Sequence, residues 1–141
     1  MFAKNIQHAD WKSEKHVPVI ECLDNVRANE MFEVKVTLGK EIAHPNTTEH
    51  HIRWIKLYFR PEEGKFIHDV ASFQFNSHGE SVQGPNEGPV YTHHGGITWM
   101  KVTGSGTLYA IAYCNIHGLW ESNKELGVTG IDESYPDQAP E

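Results

Sequence analysis

The sequence has little cysteine, with only Cys22 and Cys114 among its 141 residues. Two thiols cannot form a four-cysteine zinc site or a disulfide-dense scaffold, and they allow at most one disulfide. Long apolar runs are also missing, since none approaches the roughly 20 residues that a membrane-spanning helix needs. Residues 1–10 lack the basic start and apolar stretch of an export signal, so a cytoplasmic protein with reduced thiols is expected.

Positive charge is also in short supply. Twelve Lys and Arg residues face 19 Asp and Glu residues, which gives a net charge of −7. A protein that binds nucleic acid through its general field should be basic, so that class is disfavoured. Residues 121–141 carry six acidic side chains and one lysine, and therefore −5 of the total. A site in the first 120 residues need not repel an anionic substrate.

Helical periodicity is scarce, whereas alternation of apolar and polar residues is common. Five alternating or β-rich runs predict strands: residues 31–38, 52–59, 66–75, 97–102 and 107–113. Turn signals rich in glycine and proline separate these runs. The pattern predicts an all-β fold, an immunoglobulin-like antiparallel β-sandwich of about seven strands. We expect one domain over residues 1–122 and an acidic tail over residues 123–141, either loose or used for subunit contact.

Three polar clusters lie in the loops or at the strand ends of this predicted sandwich. They are residues 14–18 (EKHVP), 44–51 (HPNTTEHH) and 114–120 (CNIHGLW). Loops on a rigid scaffold are where functional groups are usually presented. A Cys-x-x-His pair supplies thiolate and imidazole, ligands that suit iron, copper or zinc. The short spacing favours binding of His117 through its nearer ring nitrogen, Nδ1.

Each of these residues, taken alone, has a plain structural explanation. Loop histidines are often solvated polar groups, and a lone cysteine often packs as a small apolar side chain. Three such clusters in one short chain make a shared site the better interpretation. The same reasoning leaves Cys22, the pair His93 and His94, and the four tryptophans without assigned chemistry.

The three clusters, in this order, resemble superoxide reductase, the neelaredoxin and desulfoferrodoxin family. The likeness runs from residue 11 to residue 121 and includes residues 76–82 (NSHGESV) and 84–86 (GPN). The family's N-terminal desulforedoxin module needs four cysteines, which this chain lacks. The chain therefore resembles the one-iron, neelaredoxin-like class.

The resemblance implies a mononuclear non-haem iron with four histidine ligands and one axial cysteine thiolate. Carried over by position, the ligands are His16, His44, His50, His117 and Cys114. His50 matches the motif, rather than His51, because it lies six residues after His44. An axial thiolate pushes electron density through the metal, as in cysteine-ligated haem enzymes. Backbone N–H groups of the 114–117 loop would hydrogen-bond the sulfur, with Ile116 as the expected donor.

The implied reaction is the one-electron reduction of superoxide to hydrogen peroxide, a defence against oxidative stress. A rubredoxin-like donor would then reduce the iron again, and relatives form dimers or tetramers. Glu14 would be the sixth ligand of the ferric state. Lys15 would attract superoxide and order a proton-delivering water, since a local positive field raises the association rate of anions.

Two other classes of protein share part of this pattern. A cupredoxin electron carrier also combines a β-sandwich with a Cys–His pair, but it often uses a nearby methionine and would leave two histidines unused. A structural zinc protein needs a closed four-coordinate site and does not explain Glu14 and Lys15.

Overall fold

Extended structure dominates residues 1–129, the part of the chain that the computed structural model describes. A short 3₁₀ turn, Phe2–Asn5, precedes the first strand. The strands are β1 (Val19–Glu21), β2 (Asn25–Arg27), β3 (Phe32–Thr37), β4 (Ile52–Pro61), β5 (His68–Gln74), β6 (Gly95–Met100), β7 (Gly106–Cys114) and β8 (Gly118–Thr129).

The strands form two sheets that enclose one apolar core. One sheet has the order β1-β3-β6, and the other has the order β2-β8-β7-β4-β5. Neighbouring strands are antiparallel, except for β2, which pairs parallel with β8. The predicted all-β sandwich is confirmed, with eight described strands where about seven were expected. The strand runs read from the sequence left out the short β1 and β2 and the polar β8.

Alternation of side chains along the strands accounts for the core. On β3, Phe32, Val34 and Val36 point inward and are at most 6% exposed. On β4, Ile55 and Leu57 are fully buried. Because successive side chains of a strand face opposite sides, these period-two runs bury one face and leave the other for solvent. Each fully buried side chain of this size contributes about 1.5–3 kcal/mol to folding.

Strand β7 carries the alternation up to its last residue. Leu108, Ala110, Ala112 and Cys114 are all at most 1% exposed. Cys114 therefore stands on the core-facing side of the sheet, at the point where β7 ends. The backbone register of β7 thus places the thiol at the mouth of the sandwich.

Strand β8 continues past the predicted domain boundary at residue 122. It pairs with β7 up to Leu126, whose side chain is 1% exposed in the core. Residues 123–129 therefore belong to the sheet, although they were expected to begin a tail. The rest of that tail, residues 130–141, lies outside the described residues, and the division into domain and tail stays a prediction. No helix of the described part is long and apolar enough to cross a membrane.

Candidate metal centre

Strand register brings the three polar clusters to one end of the sandwich. The start of β1 pairs with the end of β3, with Val19 opposite Thr37, so the segment before β1 meets the β3–β4 connection. The start of β4 pairs with the end of β7, with Ile52 opposite Cys114. Residues 44–51, which we call the ligand loop, thus run between these two points.

Four side chains converge there. His16 Nε2 lies 3.1 Å from His117 Nδ1, which lies 3.3 Å from His50 Nε2 and 3.8 Å from Cys114 Sγ. All four donor atoms lie within 4.8 Å of one another. Three ring nitrogens and a sulfur that face each other, instead of other polar groups, form a donor set for one metal ion. The His117 nitrogen that faces the others is Nδ1, as its spacing from Cys114 predicted.

His44 borders this group without joining its tightest contacts. Its ring centroid lies 4.7 Å from that of His50 and 4.9 Å from that of His16. Its Nε2 atom is buried and has no hydrogen-bond partner among residues 1–129. A buried polar atom without a partner is rare and costly, so it needs an explanation. A metal ion within reach of Nε2 would supply the missing partner.

Cys114 and His117 are held by the tight turn between β7 and β8. Cys114 pairs with Gly118, whose φ of 81° is readily adopted only by glycine. The His117 N–H points back to the cysteine and donates to Sγ at 3.4 Å. The donor expected from the sequence was Ile116. In the described residues that donor is His117, because the turn aims the amide three residues after the cysteine at the sulfur.

Hydrogen bonds fix the tautomers of two rings. His16 Nδ1 donates to Glu14 Oε1 at 2.6 Å, and His44 Nδ1 donates to the Pro45 carbonyl at 2.7 Å. In a neutral imidazole, a protonated Nδ1 leaves Nε2 as the free lone pair. Both rings therefore offer Nε2 to the centre. A carboxylate or carbonyl behind a ligating histidine also raises its basicity and fixes its orientation.

The electrostatics of the site keep these histidines neutral. Burial, with smaller effects of the neighbouring rings of His16 and His50, lowers the pKa of His44 to about 4. Burial also lowers the pKa of His16, against the opposing effect of Glu14, and lowers the pKa of His50. Neutral imidazole is the form that binds metals, so the rings are ready to ligate at neutral pH.

Glu14 and Lys15 lie beside the first histidine. Burial works to raise the pKa of Glu14, but the hydrogen bonds from His16 outweigh it and lower that pKa. The carboxylate is therefore ionised and also accepts the His16 backbone N–H at 3.2 Å. Lys15 is half-buried, and its charge adds to the lowering of the pKa values of His16 and His50.

Comparison with known proteins identifies the family of this chain. The desulfoferrodoxin family model matches residues 8–123. The chain belongs to the desulfoferrodoxin family. Neelaredoxin from Megalodesulfovibrio gigas is 61% identical over 122 residues, which cover 86% of this chain and 94% of that protein. Superoxide reductase from Pyrococcus furiosus is 53% identical over 126 residues, which cover 89% and 99%.

The fold agrees with this family as well. A solved structure of superoxide reductase (neelaredoxin) from Archaeoglobus fulgidus, in the reduced form, matches with a TM-score of 0.81 and 53% identity. The match covers 86% of this chain and 98% of that one. The resemblance inferred from the three clusters is therefore confirmed, both in sequence and in structure.

Two further residues of this desulfoferrodoxin site contact the ligands, although the sequence analysis did not assign them a role. Trp120 stacks on His16 with ring centroids 5.0 Å apart, and its indole N–H donates to the His117 carbonyl at 3.1 Å. The Gln7 side chain donates to the same carbonyl at 3.2 Å. The only sequence feature that could have placed Trp120 at the site is its position in the CNIHGLW motif. No sequence feature indicated Gln7.

Other unassigned groups stay apart from the donor set. His94 is buried with its ring centroid 5.8 Å from that of His44, and His93 packs beside it. Both cysteines are free thiols, and burial raises the pKa of Cys22. Cys114 is therefore the sulfur that the described residues offer to a metal ion.

Proposed function

We propose that this protein is a superoxide reductase that carries one iron per chain. The observation that carries the proposal is the convergence of three histidine nitrogens on Cys114 Sγ, with the partnerless His44 Nε2 beside them. A cupredoxin-type copper site needs two histidines and a cysteine, and a closed zinc site needs four ligands in all. Five candidate donors exceed both requirements.

The chemistry is one-electron reduction. Superoxide takes up one electron and two protons and yields hydrogen peroxide, and no dioxygen is formed. Iron held by these histidines and Cys114 would supply the electron, since it can change between the ferrous and ferric states. An external donor returns that electron, and we propose a rubredoxin-like protein for this role.

Cys114 and the histidines have different tasks in this reaction. The buried thiolate is the most electron-rich donor of the set and favours release of an electron from the centre. The His117 N–H that points at Sγ tempers that effect and tunes the reduction potential. The neutral histidines hold the centre without adding charge, so a net positive site remains to receive an anion.

Lys15 and Glu14 act on the substrate side. The Lys15 ammonium adds a positive field beside the donor set, which attracts superoxide and orders water for proton delivery. Glu14 is the proposed sixth ligand of the ferric state. Its carboxylate accepts two hydrogen bonds from His16, one from the backbone N–H and one from the ring. To bind the metal, the carboxylate would have to break at least the hydrogen bond from the ring nitrogen. Glu14 would thus exchange between holding His16 and binding the metal.

Other parts of the proposal concern the setting of the protein. We propose a cytoplasmic homo-oligomer, a dimer or a tetramer, that protects against oxidative stress. Separating the assembled form by size with light-scattering detection would test the oligomeric state.

The decisive experiment for function is a product balance. The pre-reduced protein is mixed with superoxide, and the loss of superoxide, the peroxide formed and the dioxygen evolved are followed. We expect one peroxide per superoxide consumed, one electron lost from the protein and no dioxygen. Equal yields of peroxide and dioxygen would indicate dismutation, and no reaction would refute the proposed activity.

A further inference from the structure

The ligand loop is held from outside by a segment that has no role in the reaction proposed above. This outer segment, residues 75–92, connects β5 to the region before β6 and includes the NSHGESV and GPN motifs. Its polar contacts reach the loop between the two ligand positions rather than the ligands themselves. They are Thr48 N–H to Asn86 Oδ1 (2.7 Å), Asn86 Nδ2 to the Glu49 carboxylate (3.0 Å) and Asn46 Nδ2 to the Thr92 carbonyl (2.9 Å).

His78 is the centre of these contacts and is only 4% exposed. Its Nε2–H donates to the Phe75 carbonyl (2.7 Å), and its Nδ1 lies 3.0 Å from the side-chain amide oxygen of Asn46. Its carbonyl accepts the Thr48 hydroxyl at 3.0 Å. The ring also stacks on His51, with centroids 3.5 Å apart and planes 6° from parallel. Three of the four contacts reach the ligand loop.

The opposite side of the loop is fixed to the cysteine turn. Asn115 Oδ1 accepts the His51 N–H at 2.8 Å, and the Asn115 N–H donates to the His51 carbonyl at 3.1 Å. The Asn115 side-chain amide donates to the Glu49 carbonyl at 2.8 Å. The end of the loop that bears His50 therefore sits between the cysteine turn and the ring of His78.

We propose that His78 is a positioning residue for the metal centre, and that Asn86 supports it at the rim. Together they hold the ligand loop in the conformation in which His44 and His50 meet the other donors. The inference rests on the proposed metal site and adds a role for the outer segment.

The physical reason is pre-organisation. Ordering a loop costs conformational entropy for every residue that it fixes. If His78 and Asn86 already fix the loop, that cost does not fall on metal binding, and the ligands stay near their productive geometry. Partners behind the ligands of a metal site typically change metal affinity or activity by about 10–100-fold when they are mutated.

The test uses full-length, iron-loaded protein and two substitutions of His78. His78→Phe keeps the stacked ring and removes both ring nitrogens with their polar contacts, whereas His78→Asn keeps an amide near the position of Nδ1. Two properties are measured: the rate of iron release into excess ferrous chelator, and the position of the thiolate-to-iron band after oxidation. Global unfolding rates are measured in parallel. We expect His78→Phe to release iron about 10-fold faster or more with a shifted band, and His78→Asn to recover part of both.

A pair of exposed substitutions keeps the test decisive if His78→Phe does not fold. Asn86 has a φ of 65°, so Asn86→Gly removes its side-chain contacts without backbone strain. Glu87→Gly, at the next exposed position, is the matched control. We expect faster iron release from Asn86→Gly than from Glu87→Gly.

Several outcomes would overturn the inference. Iron release and band position equal to those of the unmodified protein would do so, as would release that only follows the global unfolding rate. Equal release from Asn86→Gly and Glu87→Gly would also count against it. If the unmodified protein held no iron, the proposed function would fail instead, so the two failures are distinguishable.

Discussion

Two groups of histidines lie at the same end of the sandwich, and they differ in where their ring nitrogens point. In the first group, His16, His50 and His117 direct nitrogens at one another and at Cys114. In the second group, His51 and His78 direct ring nitrogens at backbone carbonyls and stack on each other. Adjacent residues, His50 and His51, fall into different groups because hydrogen bonds to Asn115 and Thr47 hold His51 on the side away from the donor set. Hydrogen-bond satisfaction, rather than residue type, distinguishes a ligand from a packing residue.

The largest effect should come from substituting these two neighbours. His50→Ala removes a donor atom, so we expect it to lose bound iron, with affinity reduced by more than the roughly 100-fold typical of outer partners. His51→Ala should keep one iron per chain at saturating iron. Its free energy of unfolding should fall by about 2 kcal/mol, because the variant loses a buried ring and a hydrogen bond. Iron content and urea unfolding measure the two effects. Iron loss from His51→Ala with full retention by His50→Ala would reverse the assignment of the two groups.

The buried His94 should make the free energy of unfolding fall at acidic pH. Burial, with smaller effects of His93 and His78, lowers the pKa of His94 from 6.5 to about 4. Between these values the unfolded chain binds a proton that the folded chain does not, so stability is lost as the pH falls through this window. His94→Gln should therefore reduce the loss of stability of the metal-free protein between pH 7 and pH 5 by about 2 kcal/mol.

Urea unfolding at the two pH values measures that difference. His68→Gln, on the exposed start of β5, is the matched control for removing a histidine. A pH dependence of His94→Gln equal to that of the unmodified protein would show that His94 does not resist protonation in the fold.

His16 differs from the other candidate ligands in its hydrogen-bond partner, because the Glu14 carboxylate accepts its ring N–H. Glu14→Ala should weaken iron binding by about 10-fold or more, since the ring loses the partner that fixes it. Glu14→Gln keeps an oxygen acceptor and should retain most of the affinity. Competition with a ferrous chelator measures both variants. Equal affinities of the Ala and Gln variants would remove the positioning role of Glu14.

Lys15 should give the smallest effect, since it acts on the substrate rather than on the ligands. Lys15→Ala should slow the second-order reaction with superoxide several-fold, weaken its salt dependence and leave iron bound. Lys12→Ala removes an exposed charge nearby, beside Trp11, and is the control. An unchanged rate and salt response in Lys15→Ala would exclude steering by this residue.

Much of the fold could be predicted because alternation is a local property. The inward residues of β3 and β4 were evident from the sequence, and all of them are buried. Strand β8 was missed because Glu, Asn and Lys interrupt its apolar pattern on both faces, and pairing with β7 rather than its own composition makes it a strand. The short β1 and β2 depend on their partners in the same way.

The site could be predicted only through the order of its motifs. Periodicity gave no reason for His16 and His117 to meet, since their proximity depends on strand register across the chain. The hydrogen bonds of His78, Asn86 and Trp120 depend on loop conformation, which residue spacing does not encode. Ile116 was the wrong donor for the same reason, because the direction of an amide in a turn follows from its dihedral angles.

The central claim is that one iron is held by these histidines and Cys114, and optical spectroscopy with metal analysis tests it most directly. The purified protein and its Cys114→Ser variant are analysed for bound metal, and their visible spectra are recorded after oxidation. We predict one iron per chain and a thiolate-to-iron(III) charge-transfer band that Cys114→Ser abolishes. Zinc alone, an intense blue copper band without iron, or a band that survives in Cys114→Ser would contradict the account.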